Sequence, residues 1–261
     1  MSIQELDKLH AQIKGKKVLY IIPGCAGKKK FSTQNQNHNQ LRKAPIGRIH
    51  RELYNAQKSH LIPLLYRARQ DCHWLACRGR LSSTALALNN SIVSSGREFN
   101  PTNTGTAHYR KAYDRYNGNL YSGAVKNLLK TKHNILIQSP LWGLLSPNDY
   151  IQNYNLRMDK REVTPKWEKL LPQIIDAFAV LHDIEMIIGL FSETSRDSKK
   201  IFPELKNQSG GYSLYLVHTI PHPDKNDQNW VPEGLGHALL YLAQGTPPPK
   251  EFDYMAKKIR P

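Results

Sequence analysis

The 261-residue chain is poor in cysteine, poor in acid and free of long apolar runs. Three cysteines make no disulfide framework, so a reducing compartment is expected, the cytoplasm by default. No apolar run reaches the roughly 18 residues of a membrane span, so no membrane partner is expected. The opening segment MSIQELDKLHAQIKGKK has no apolar stretch of the signal-peptide kind. A Walker loop and a GxGxxG turn after a strand are both missing, which disfavours enzymes built on a nucleotide, and no cofactor is expected. Cys72-His73 with Cys77 fits no common zinc spacing and lacks a fourth ligand, so no metal is expected either. No internal repeat is present.

What the chain has is positive charge. Lys plus Arg number 37 against 21 Asp plus Glu, a net +16. An excess of that size attracts polyanions, and phosphate backbones are the commonest of these in a cytosol. The charge is clustered. Lys28 to Arg69 holds ten Lys/Arg against Glu52, and His108 to His133 holds six against Asp114. Tyr54, Tyr66, Tyr109, Tyr113, Tyr116 and Tyr121 interleave with these tracts, a pattern that favours nucleic acid over mere solubility. Hydrophobic residues make up 39%, enough for a core.

The spacing of apolar residues predicts a polar helix over 3–14 and a strand over 17–22, closed by Pro23-Gly24. Residues 28–39 read as a basic loop. Helical spacing runs through 45–69, interrupted at Pro63, and Trp74–Cys77 reads as a short strand. A helix is expected over 122–130, a buried strand over 134–138 and a turn-rich connection over 139–147. Thr164-Pro165 reads as an N-cap followed by Pro at the first helical position, opening a helix with a kink at Pro172. Buried strands follow at 186–191 and 212–219, then a helix over 234–242 and a Pro-rich tail with little structure. Helices alternating with continuously apolar strands predict a single α/β domain over 1–261 with a central, mostly parallel sheet flanked by helices. Residues 31–119 read as an insertion after the first strand. Ligands of such sheets bind at the carboxyl ends of the strands. That gathers 23–30, 139–154, 192–200 and 218–230.

Leu120 to Met158, LYSGAVKNLL…HNILIQSPLWGLLSPNDYIQNYNLRM, resembles the core of the YaaA-like superfamily. The motif residues are Ser139, Gly143, Leu144, Leu145, Pro147, Asp149, Tyr154 and Met158. FSETSRDSKKIFP (191–203) is similar to the polar turn and Lys-rich helix of that family, and PGCAGKKK to its Cys–x–x–Lys start. The resemblance implies DNA binding, a link to oxidative stress and a fold related to that of DNA glycosylases. HTIPHPDKNDQNW (218–230) resembles the His-Pro loop of the uracil-DNA-glycosylase fold, with His222-Pro223 as the counterpart. IIPGCAG (21–27) resembles the turn that carries the water-activating residue there. The position before Pro-Gly is Ile22, not Asn or Asp, so another residue must activate water.

Breaking an N-glycosidic bond needs a carboxylate near the sugar C1′ and donors toward the departing base. The base must first be flipped out of the stack. Asp149 leads as the carboxylate, with Glu193 and Asp197 as alternatives, and His222 leads as the leaving-group donor. Cys25, Ser139, Trp142, Tyr154 and Tyr121 are the expected substrate-binding residues, Trp142 or Tyr154 stacking on the base. Lys28, Lys29, Arg157 and Lys199 are the expected phosphate contacts. Structural alternatives stand beside these roles. Asp149 equally suits a turn cap, His222 a loop residue, Trp142 the core and Cys25 a small buried hydrophobe. Water is favoured as nucleophile over an amine of Lys199 or Lys28. The expected partner is double-stranded DNA carrying a modified base. Glucosylated hydroxymethylcytosine of phage DNA is one candidate, since antiviral glycosylases of this wider fold group remove it. The alternatives are a non-catalytic DNA-binding stress protein and an RNA base-modifying enzyme.

Overall fold

Short apolar runs, VLYIIP and MIIGL, form the two central strands of a six-stranded sheet. The computed structural model describes residues 3–25, 47–78, 110–131, 134–151, 154 and 156–260. The strands are β1 (Val18–Pro23), β2 (Arg110–Lys111), β3 (Ile135–Ser139), β4 (Gly143–Leu145), β5 (Tyr150–Ile151), β6 (Met186–Leu190), β7 (Ser213–Thr219) and β8 (Tyr254–Arg260). Every residue of β3 and β6 is buried, as strands covered on both faces require. The sheet order is β4-β3-β1-β6-β7-β8. β3, β1, β6 and β7 run parallel, with Tyr20 opposite Ile135, Leu19 opposite Ile187 and Ile188 opposite Tyr215. Antiparallel β4 and β8 form the two edges. β2 and β5 pair separately. The fold is the mixed α/β class, with a mostly parallel central sheet flanked by helices.

The helices are α1 (Gln4–Ile13), α2 (Gly47–Asn55), α3 (Leu61–Arg78), α4 (Ala112–Arg115), α5 (Gly123–Lys130), α6 (Thr164–Trp167), α7 (Leu170–Leu181) and α8 (Asp227–Gln244). Ser122 caps α5, its hydroxyl accepting the Val125 N–H at 3.4 Å. Several sequence expectations are corrected. The break in 45–69 falls between α2 and α3, where Gln57 has φ +56°. Pro63 lies inside the first turn of α3, where its missing N–H leaves no bond unmade. Trp74–Cys77 is the end of α3, not a strand. Thr164 is the first helical residue rather than a cap, and its hydroxyl donates to the Met158 carbonyl. Pro172 lies in the first turn of α7, where its missing N–H leaves no bond unmade, instead of kinking the helix. α8 starts seven residues before the expected Gly234, with Asn226 accepting the Gln228 N–H at 2.9 Å. The expected connection 139–147 contains β4, and the Pro-rich tail ends in β8.

Gly143 opens β4 at φ +78°, and a Cβ there would lie 2.7 Å from the ring of Trp167. Trp167 is fully buried and its Nε1–H donates to the Pro140 carbonyl at 2.9 Å. At the other edge, α1 lies against β8 and α8. Glu5 accepts the backbone N–H of Ala256 in β8, Gln12 accepts the Tyr215 hydroxyl and Asp7 accepts the Tyr241 hydroxyl. Among the described residues no helix is long and apolar enough to cross a membrane.

Candidate functional site

The chain leaves β1 for β3 on one side of the sheet and later builds β6, β7 and β8 on the other. The carboxyl ends of β1 and β6 therefore flank the topological switch point, where open α/β sheets bind ligands. Two polar clusters gather around it, on opposite faces, because Gln138 and Ser139 are consecutive in β3.

On one face the Gln138 side-chain amide donates to Asp197, which opens a single π-turn, Asp197–Ile201, after β6. Both side chains are buried. Desolvation raises the Asp197 carboxyl from its ordinary 3.8 to about 7, with Asp159 adding to the rise and the Gln138 bond opposing it. A carboxyl at that value is populated in both forms near neutrality, as an acid–base group requires. π-turns inside helical segments are also frequent at functional sites. The Gln138 Oε1 is buried without a hydrogen-bond partner.

On the other face three buried hydroxyls form a chain. Tyr154 Oη lies 2.8 Å from both Tyr116 Oη and Ser139 Oγ, and Ser139 Oγ accepts the Trp142 N–H at 3.0 Å. Burial pushes the Tyr116, Tyr121 and Tyr154 hydroxyls above the ordinary tyrosine value, so all three stay protonated at neutral pH. Tyr121 stacks on Tyr116 and donates to the Pro23 carbonyl at 2.8 Å. Half-buried Cys25 accepts the Gly118 N–H at 3.2 Å. The approach is tight: a Cβ on Gly24 would lie 2.9 Å from Tyr116 Oη, and one on Gly118 would lie 3.0 Å from Cys25 Cβ. The structure thus brings Cys25, Ser139, Tyr121 and Tyr154 together.

It does not bring Asp149 and His222 together. Asp149 follows β4 and His222 follows β7. Three strands lie between those two, roughly 19 Å at about 4.8 Å per step. Both Asp149 oxygens are engaged: Oδ1 accepts the Arg48 N–H of α2 at 3.1 Å and Oδ2 the Ser146 N–H at 2.7 Å. Burial raises the Asp149 pKa, while those two backbone bonds and the charges of Arg69 and Arg48 pull it down. These are the contacts of a cap that fastens the start of α2 to the turn after β4. Asp149→Ala is expected to cost about 1–2 kcal/mol of stability, measured by urea denaturation. Loss of under a few tenths of a kcal/mol would refute the cap. His222 is half-buried beside Trp230, and its Nδ1 accepts the Asp224 N–H at 3.2 Å.

The remaining expected residues are scattered. Glu193 and Lys199 are exposed after β6. Arg157 forms a two-bond ion pair with Asp159 at 3.1 and 2.6 Å. Trp142 and Tyr154, expected to stack on a base, are both buried, and the Arg69 guanidinium lies 5.8 Å from the Trp142 ring centroid. Lys28 and Lys29 lie outside the described residues, as do the side chains of His73 and Cys77. No group of three His, Cys, Asp or Glu among the described residues is placed to hold a metal ion. Sequence reasoning misses Gln138, for which the signal is a polar residue ending the apolar run of NILIQ, and reads Tyr116 only as one of the tyrosines among the basic tracts.

A sequence model of the family described as peroxide stress protein YaaA matches residues 24–198, two thirds of the chain. The chain belongs to the YaaA family. The matched range begins just after β1 and contains Cys25, the tyrosines 116, 121 and 154, the Ser139–Asp149 motif and Asp197, so the YaaA region carries most of the crevice. It ends before β7, α8 and β8. No curated protein sequence matches the chain.

Proposed function

We propose that the chain is a DNA glycosylase that hydrolyses the N-glycosidic bond of a modified base in double-stranded DNA and leaves an abasic site. Glucosylated hydroxymethylcytosine of phage DNA is the first candidate substrate. The observation that supports this reading is the buried Asp197–Gln138 pair beside the switch-point crevice. As the neutral acid, Asp197 gives its proton to the departing base while the C1′–N bond breaks. As the carboxylate, it steadies the cationic sugar and takes a proton from the water that adds to C1′. Asp197 replaces Asp149 in this role because the Asp149 oxygens are both committed to backbone N–H groups. The uracil-DNA-glycosylase-like loop at His222 belongs to the same reading, with the imidazole on the base side. The excess of cationic side chains holds the phosphates.

The test is base release. Protein is incubated with glucosylated, hydroxymethylated, uracil-containing and plain duplexes, free base is measured by mass spectrometry and abasic sites by alkali. Release from one substrate is expected, falling by about 100-fold or more in Asp197→Asn with duplex affinity kept within about twofold. A second reading, a DNA-binding protein without base excision, rests on the same net charge of +16. Salt-sensitive binding to all four duplexes with release from none would establish it over the first.

A further inference from the structure

Gln138 is an unusual residue for its place. β3 is buried at every position, Ile135, Leu136 and Ile137 precede it, and Gln138 itself is 2% exposed. A buried side-chain amide carries donor hydrogens and a carbonyl acceptor that all need partners. Gln138 Nε2 donates to Asp197 Oδ1, while Oε1 has no partner. An unmet buried carbonyl is destabilising, and an unbranched apolar side chain would avoid that cost. The amide therefore serves its one partner rather than the packing of the strand.

That partner is reached across the sheet. Asp197 belongs to the turn after β6, and β1 lies between β6 and β3. The bond thus joins the two halves of the sheet at the switch point where they part. No other described residue donates to the Asp197 carboxyl. The charged neighbours do not substitute for the amide. Arg157 is committed to Asp159, and Lys166 of α6 pairs with Asp71 at 2.7 Å. Glu193, Lys199 and Lys200 beside Asp197, and Glu204 and Lys206 on the next turn, are exposed, and Arg196 is half-buried. Among all these only the Asp159 charge shifts the Asp197 carboxyl, upward.

We propose that Gln138 is the positioning residue of Asp197: its amide holds Oδ1 across the switch point so that Oδ2 faces the ligand to give and take the proton. This role rests on the reading of Asp197 as the acid–base group of the crevice. An N–H that donates to a carboxyl favours its ionised form, so loss of the amide raises the Asp197 pKa beyond about 7.

Gln138→Met keeps the length of the side chain and removes the amide, with Gln138→Leu as a second variant. In the wild type, stability falls from about pH 4 to about pH 7 because the native carboxyl keeps a proton that the unfolded chain has lost. Without the amide the fall is expected to run on by about one pH unit before it levels off, measured by urea denaturation across the range. Tyr20→Phe removes another buried hydrogen bond, to the Leu242 carbonyl at 3.0 Å, and is expected to lower stability equally at every pH. In base release, Gln138→Met is expected to cut kcat by about tenfold or more, with KM within about twofold and the pH optimum moved up. A levelling-off pH that matches the wild type in both variants would overturn the proposal. So would release whose kcat and pH optimum are those of the wild type. Release by neither protein, with the stability shift present, would overturn the glycosylase reading and not the hold of Gln138 on Asp197.

Discussion

Asp197→Asn is expected to leave stability unchanged at pH 4 and to raise it by up to about 4 kcal/mol at pH 8. The cause is burial. Desolvation holds the native carboxyl at about 7, helped by the nearby charge of Asp159 and opposed by the Gln138 amide. In the unfolded chain the same group ionises near pH 4. Between those values the native state keeps a proton that the unfolded state has lost. Stability therefore falls as pH rises through the window, by about 1.4 kcal/mol per pH unit, and levels off above pH 7. An amide has no proton to lose, and its Oδ1 still accepts from Gln138. Urea denaturation of both proteins at pH 4, 6 and 8 measures the difference. A gap that stays the same across the three pH values would sink the assignment of a buried neutral acid.

Gly143→Ala should lower stability by roughly 3 kcal/mol, or about 6–12 °C in Tm for a chain of this size. Two costs add. At φ +78° an alanine Cβ meets its own backbone, at about 1–2 kcal/mol. The same Cβ would sit 2.7 Å from the Trp167 ring, and that ring has nowhere to go. It is fully buried and its Nε1–H is fixed on the Pro140 carbonyl. Gly123→Ala serves as the contrast. Gly123 is the first residue of α5 with nothing within 4 Å of a Cβ, so its replacement should be neutral or stabilise by up to about 1 kcal/mol. Equal melting temperatures for the two variants would show that the β4 turn is not under this constraint.

How legible each part was follows from where its information lies. The apolar stretches Ile135–Ile137 and Met186–Leu190 announce β3 and β6 because a strand buried on both faces reads as a continuous apolar run rather than an alternating one. β8 is different. YMAKKIR has two lysines at its centre, and it is a strand because β7 offers it a free edge, a fact located forty residues away. The first turn of α8 is hidden because Asp227, Gln228 and Asn229 are exposed and carry no periodicity, although Asn226 as a cap was there to be read. In the candidate site, Ser139 and Tyr154 stand in one short motif and meet through a direct hydrogen bond. Asp197 stood only as an alternative to Asp149. What distinguishes the two is a partner, Gln138, fifty-nine residues away in sequence. Local pattern records neither that pairing nor the burial it brings.

The contact of α1 with β8 and α8 has a consequence for how the chain is made. In α1, Glu5 is synthesised 251 residues ahead of Ala256 of β8, whose N–H it accepts. At ribosomal speeds of about 5–20 residues per second, α1 waits roughly 12–50 s for that partner. Once β7 is complete at Thr219 its outer side stays open until Tyr254 follows, roughly 2–7 s at those speeds. A ribosome that stalls before residue 254 holds a nascent sheet with an unsealed edge, the kind of surface on which chaperones act and through which strands of neighbouring chains pair.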